Sequence, residues 1–440
     1  RRRHHQVTPP NAEAHLDDGA LVKPDDALFR REAARLLAAL TRAFGVENLA
    51  LAEDVVQETL AGAFEAWTRT GVPGHYAALL MASARNRALD AFRRQRMVSR
   101  RAPELGRFIE SEWTSGPEAE ALFLPDALKD DELRMMFSCC DPRLHEDVQV
   151  ALVLHLLCAL GVDEIASAFL VSPAAMYKRI ERGKVALAAS NRLFELTAED
   201  FAPRLSAVQR ALYLLFNEGY HGASSEAAVR VDLCQEAMRL VRLLVEHAPA
   251  ATPATCALAA LMWLHAGRLP GRIGEDGHLK ALFEQDRSRW DGDLIAEGMG
   301  LLARSAAGET LSEYHVEAEI AALHAAAAST RETRWADIVA RYDLLMTLRP
   351  SPVVALNRAI ALAEHAGAEH GLAAIRAIED AERLRGYPFY RAALGELELR
   401  LDRVDPAREH FSAAKRLARN DSERRYLEQR IRQCERGKVS

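Results

Sequence analysis

From Asp26 onward, apolar residues recur at the three- and four-residue spacing of amphipathic helices, and runs of Val, Ile and Thr long enough for a strand are rare. Three such segments, roughly 26–44, 48–67 and 73–97, predict a compact N-terminal helical unit. In the second, AEDVVQETLAGAFEAW, the inner positions are Val55, Leu60 and Phe64, which leaves Glu53, Asp54, Gln57 and Glu58 as an acidic outer face. The third, YAALLMASARNRALDAFRRQR, turns Leu79, Leu80, Ala84, Ala88, Ala91 and Phe92 inward and Arg87, Arg94 and the trailing arginines outward. Between Arg101 and about Asp130 the periodicity weakens around Pro103, Gly116, Pro117 and Pro125, which predicts a linker.

Helical spacing resumes in DDELRMMFSCC and HEDVQVALVLHLLCALG, then in GVDEIASAFLVSPAAMYKRIERGKVAL. The last stretch breaks at Val171-Ser172-Pro173. Ser172 is placed to accept from the free N–H groups of the next turn, and Pro173 at the first helical position has no N–H to lose. Advancing about 100° per residue from Met176 brings Ile180, Gly183 and Leu187 onto one stripe. Lys178 and Arg182 then stand opposite, with Tyr177 and Arg179 on the flanks and Lys184 closing the basic series. A preceding helix packed through Ile165, Ala168 and Phe169, a short break and a basic second helix make a helix-turn-helix, whose second helix enters the major groove.

From about Asn191 a longer helical array runs on, punctuated by Pro, Gly and Asn. Near its end Leu394-Gly395, Ala407, Phe411 and Ala414 stand at the offsets of a tetratricopeptide (TPR) repeat, and Ala359, Gly371 and Ile375 repeat them loosely one copy upstream. The fold class is therefore all-α.

At 440 residues the chain suits two to four domains, and 49% hydrophobic with only 6% aromatic residues agrees with helices throughout. A net charge of −6 argues against binding nucleic acid through bulk charge, but the average hides blocks. Residues 81–101 carry seven arginines against Asp90 alone, and residues 102–132 carry nine acids against Arg107 and Lys129. Segments of opposite sign predict different partners. Arginines at a helix end suit phosphates, Asn86 and Asp90 suit base edges, and Trp67, His75 and Tyr76 flank a Gly-Pro loop suited to an unpaired base, with Trp67 favoured as core.

Six cysteines without a CxxC pair predict reduced, buried thiols, and Cys139-Cys140 with His145 lacks two further ligands, so no metal and no cofactor is expected. No apolar run reaches the roughly 18 residues of a membrane span, and the first twenty residues contain no signal core. The expectation is a cytoplasmic, non-enzymatic protein with no membrane partner and a flexible tail over 1–24. In the long array, Arg287, Arg289, Trp290 and Asp291, with His265, either line a ligand site or lock one repeat to the next, and the composition favours the lock.

The order of these pieces resembles region 2, linker and region 4 of the sigma-70 family of RNA polymerase sigma factors, most closely the extracytoplasmic-function (group 4) type. LYLLFNEGY, EQDRSRWD and SPVVALNRAIALAE extend the resemblance to its subgroup with a long TPR-containing C-terminal extension. The resemblance implies region 2 over 25–100, an acidic linker over 101–129, region 4 over 130–192 and the extension over 193–440. It implies that Asp54, Gln57 and Glu58 dock on the clamp of the core polymerase largest subunit, and that Asn86, Arg87, Asp90, Arg93 and Arg94 read the −10 element of promoter DNA. Tyr177, Lys178, Arg179, Arg182 and Lys184 would read the −35 element. The extension would regulate, by meeting a small ligand or a protein or by docking the two sigma regions on each other. Ala174 and Ala175 stand where polar base contacts are common in the family, so the promoter letters stay open. The other readings are a TPR-bearing helix-turn-helix activator that is not a sigma factor, and a TPR scaffold.

Overall fold

The computed structural model describes residues 26–98, 125–169, 171–189, 196–221, 229–272, 274 and 280–436, with the side chains of 92–98, 125–129 and 198 left outside that description. Among the described residues every regular element is a helix. The N-terminal unit comprises α1 (Asp26–Phe44), α2 (Leu49–Thr70) and α3 (Tyr76–Val98). Next come α4 (Pro125–Cys139), α5 (Glu146–Leu156), α6 (Val162–Ala168) and α7 (Pro173–Ala188), then α8 (Ala198–His221), α9 (Val231–Glu246) and α10 (Pro253–Ala266). After an irregular segment follow α11 (Gly292–Ser305), α12 (Glu313–Ala326), α13 (Trp335–Leu348), α14 (Pro352–Ala366), α15 (Ala368–Arg376), α16 (Pro388–Arg400), α17 (Val404–Leu417) and α18 (Asp421–Arg436).

One device starts three of these helices. Ser172, Thr252 and Ser351 each accept from the backbone N–H three residues on, and each is followed by proline at the first helical position. The predicted tail lies outside the described residues, as does the predicted linker up to residue 124. Its last five residues do not: α4 begins at Pro125, where proline's fixed φ suits a first turn.

Two inner faces differ from the sequence expectation. On α2 the buried positions are Leu49, Ala52, Val55, Val56, Thr59 and Trp67, and Phe64, five residues past Thr59, swings out to 51% exposure and meets Phe29 edge to face. On α3 the stripe is Leu80, Ala84 and Ala88, so Leu79 lies about 100° off it and is exposed.

The predicted units share a core. A single hydrophobic cluster runs from Ala34 on α1 through Met135, Met136 and Phe137 on α4 and Leu240 on α9 to Ala322 on α12. Buried charges cross the same boundaries. Arg30 of α1 donates to the carbonyls of Cys158 and Ala159 at 3.0 and 3.1 Å and pairs with Asp232 of α9 at 3.4 Å. Ala159 sits at φ 48°, a left-handed conformation that a non-glycine residue adopts at a cost, and Arg30 holds it there. Arg239 of α9 donates to Glu132 of α4 at 2.8 Å and to its own neighbour Glu236 at 2.7 Å, and Arg42 of α1 reaches Asp131 at 2.7 Å. Burial raises the pKa of Glu132 and pushes Asp131 up to about 6, against the pull of Arg239 and Arg42.

From α12 onward the core changes character. Val316, Ile320, Ile338, Leu345 and Ala361 form one small cluster, the face of α14 and α15 with Leu394 and Leu397 a second, and Ala407, Phe411, Ala414, Leu427 and Cys434 a third. Successive helices pack as neighbours there, α14 on α15 and α16 on α17 among them. Gly395 is where α16 and α17 meet, since a Cβ there would stand 2.9 Å from the Phe411 ring.

Candidate nucleic-acid interface

The break between α6 and α7 is closed by the backbone: Val171 N–H donates to the Ala166 carbonyl at 3.0 Å, and the Ser172 hydroxyl accepts from Ala175 N–H at 3.4 Å. The buried residues of α7 are Met176, Ile180, Gly183 and Leu187, the four the helical wheel places together. At Gly183 the seat is closest, because a Cβ would stand 2.8 Å from Val148 and 2.9 Å from Leu152 of α5. That seat fixes the outer face. Lys178, Arg182 and Tyr177 are exposed there, as is Val185, while Arg179 is half-buried and faces Asp147 at 3.8 Å.

Lys184 departs from the outward set. Its Nζ donates to Glu53 of α2 at 2.7 Å and contacts His155 Nε2 at 3.2 Å, and only 17% of its side chain is exposed. Position 184 lies one residue past the Gly183 seat, so its stem runs along the junction with α2 rather than out to solvent. His155 Nδ1 faces the Leu160 carbonyl at 3.2 Å, which makes Nε2 the acceptor for Lys184. Burial, then Lys184, holds this histidine below its ordinary pKa, so it is neutral.

On the N-terminal unit, Asp54, Gln57 and Glu58 are exposed together on α2. Glu58 pairs with Arg87 of α3 at 3.2 Å, which joins the acidic face to the arginine-rich helix. Asn86 and Asp90, four residues apart, are exposed on α3, whereas the side chains of Arg93 and Arg94 lie outside the described residues. Trp67 is buried, stacked on Phe29 at 5.8 Å and against Tyr76 at 6.4 Å, and Arg31 donates to the Tyr76 hydroxyl at 2.9 Å. Of the three residues around the Gly-Pro loop, His75 is the exposed one.

In the array, EQDRSRWD divides its labour. Asp291 caps α11, accepting from the N–H groups of Asp293 and Leu294, both at 3.0 Å. Arg287 donates to the carbonyls of His324 and Ala327 at 2.8 and 2.6 Å and to Thr333 Oγ1 at 3.2 Å, tying this segment to the end of α12. Trp290 is buried beneath Arg287 and Arg268, and Arg289 is exposed. All six cysteines are free and buried, and burial pushes the Cys139 thiol up to about 12. Among the described residues no three His, Cys, Asp or Glu side chains stand together as a metal site, and no helix is long and apolar enough to cross a membrane.

Residues 28–97, which cover nearly all of α1 to α3, match the family model described as Sigma-70 region 2. The RNA polymerase sigma factor CarQ of Myxococcus xanthus is 34% identical over 166 residues, 38% of this chain and 87% of that protein. The chain belongs to the sigma-70 family. Outside region 2, residues 204–306 match a family of unknown function (DUF6596), from within α8 to the end of α11. The uncharacterized protein R00370 of Rhizobium meliloti (strain 1021) is 39% identical over 401 residues, 90% of this chain and 92% of that protein, so sigma region 2 and the extension recur together in it. No solved structure matches.

As a sigma-70 protein the chain has its region 2 on α1 to α3, with the acidic face and Asn86, Arg87 and Asp90 on adjoining helices of that one unit. Lys178 and Arg182 are on a separate helix, α7, joined to region 2 through Lys184 and Glu53. Sequence reasoning missed Glu53 as a partner of Lys184, and it missed Arg268, whose only signal is a cation in the apolar stretch LMWLHAGRLPG.

Proposed function

We propose that this sigma-70 chain is an extracytoplasmic-function sigma factor that binds core RNA polymerase through Asp54, Gln57 and Glu58 on α2. It reads the −10 element through Asn86, Arg87, Asp90, Arg93 and Arg94 on α3, and the −35 element through Tyr177, Lys178 and Arg182 on α7. The observation that carries this reading is the division of α7 into a sealed inner stripe and an exposed Tyr-Lys-Arg face, on the same chain as a region 2 with its acidic face open. Guanidinium and ammonium groups on an exposed helix face suit guanine edges and phosphates, and each base contact contributes about 1–3 kcal/mol of discrimination.

The C-terminal array, with TPR-like hairpins at its end, regulates this activity in our reading. The −10 and −35 elements, named for positions about 25 base pairs apart, are separated by roughly 85 Å of duplex at about 3.4 Å per base pair. The Lys184–Glu53 pair at 2.7 Å holds α7 on α2, so reading both elements at once requires that contact to open. The compact form is thus a resting form, and helices α8 to α10 of the extension stabilise it by completing its core. The test is run-off transcription by core polymerase with the full chain. Lys178→Ala with Arg182→Ala is expected to abolish promoter-specific product while co-purification with core polymerase persists. Unchanged product from the double variant would overturn the assignment of α7.

A further inference from the structure

The ends of α8, α10 and α12 and the segment around Arg287–Arg289 bring three arginines into one cluster. Arg268 is 7% exposed, lies 5.3 Å from the Trp290 ring centre, and its side chain has no hydrogen bond or ion pair among the described residues. Arg287 lies over the same ring at 5.0 Å. Arg272 stacks 4.0 Å from the centre of the Tyr220 ring and is hydrogen-bonded to His221 Nδ1 at 3.1 Å, and His265 stands 5.0 Å from Tyr220.

The electrostatics agree that positive charge dominates here. Burial, then Arg268 and Arg272, holds His265 well below its ordinary range, and burial with Arg268 and Arg287 takes His324 down to about 3. Burial alone would raise the Tyr220 phenol, yet Arg268 and Arg272 outweigh it and lower it. Among the described residues none of the three arginines is paired with a carboxylate. The other two arginines buried as deeply, Arg30 and Arg430, each have one, in Asp232 and Glu396. A lock between helices would be built as those are, because a buried guanidinium without a counter-charge destabilises the fold that contains it. The atoms left without partners include the Trp290 indole N–H and Arg268 Nε, both capable of donating.

We propose that Arg268, Arg272, Tyr220 and Trp290 form a binding site in the extension for a small oxyanion, a phosphate or carboxylate group. Planar guanidinium groups suit either through paired N–H donors. The site does not depend on the promoter reading, because its chemistry lies wholly within the extension.

The experiment is thermal unfolding of the full chain in sodium phosphate, in sodium acetate and in sodium chloride at matched ionic strength. Phosphate, or acetate if the ligand group is a carboxylate, is expected to raise Tm by about 1–2 °C or more over chloride. Arg268→Met is expected to lose that response and, having shed an unpaired buried charge, to melt in chloride no lower than the unaltered chain. Equal melting of the unaltered chain in all three salts overturns the site, as does a response that Arg268→Met retains. Arg268→Met melting well below the unaltered chain in chloride would mark the arginine as a structural lock and also overturn it. Arg272→Met gives an independent check: it is expected to lose the same response, and retention of the response there counts against the site.

Discussion

Helices α1 to α12 and helices α13 to α18 are held together in different ways. From α1 to α12 one cluster of apolar side chains is continuous, and buried arginines on α1 and α9 reach across it to carboxylates and carbonyls on other segments. From α12 onward three small clusters follow, the first shared by α12, α13 and α14 and the other two made by later neighbouring helices. Clusters made only by neighbouring helices sum nearest-neighbour terms, whereas a shared core responds as a unit. The division between the two styles of packing does not fall where the family resemblance divides the chain. Helices α8 to α12, which the resemblance assigns to the extension, continue the core that begins in sigma region 2.

The comparison breaks most visibly on truncation. A chain ended after residue 195 leaves the apolar faces covered by α8 to α10 open to water, and is expected to lose cooperative unfolding and aggregate. A chain ended after residue 332, between α12 and α13, is expected to stay folded, with circular dichroism melts and gel filtration separating the two. If the shorter chain is monomeric and melts cooperatively, the shared core is not a unit.

Two phenylalanines sharpen the contrast. Phe137 and Phe411 are both fully buried, so Phe137→Ala and Phe411→Ala should each cost about 3–5 kcal/mol. Hydrogen exchange is expected to accelerate throughout α1 to α12 in the first variant and only around α16 to α18 in the second. The same spread of exchange in both would remove the distinction.

A smaller effect comes from Asp131. Below about pH 4 both folded and unfolded chains hold its proton. As pH rises from there to about 6 the unfolded chain releases it first, because the folded pKa is raised, so stability falls across that window and is level above it. The change amounts to at most about 3 kcal/mol, and Asp131→Asn should flatten it in urea titrations run across that range. A step of equal size in the variant would exclude Asp131 as its source. The smallest effect belongs to surface pairs of the array. Lys415 and Glu428 are 2.8 Å apart and partly exposed, and Lys415→Ala is expected to leave the urea midpoint nearly unchanged, a large drop marking the pair as structural.

What the sequence revealed follows the range of the physics. The stripe Met176, Ile180, Gly183 and Leu187 was legible in full, because helix geometry and the Ser172-Pro173 start are local. Phe64 and Leu79 were misassigned, since the inner face of a helix depends on which neighbour covers it. Lys184 reads as one more base in a basic helix, and only its approach to Glu53, 131 residues away in sequence, turns it inward. The common core was hidden for a similar reason: apolar stripes announce that they will be buried without naming the helix that buries them. Arg268 shows the limit most plainly, because its lack of a carboxylate partner among the described residues is a fact of three dimensions that no local pattern announces.

Gly183 seats α7 on α5 with no side chain of its own, and nothing in that seat involves positions 177, 178 or 182. The residues that anchor the helix and those it presents are separate sets. Substitutions on the presented set therefore change what the helix recognises at little cost in stability, so this surface is free to diversify over evolution while the scaffold beneath it stays fixed.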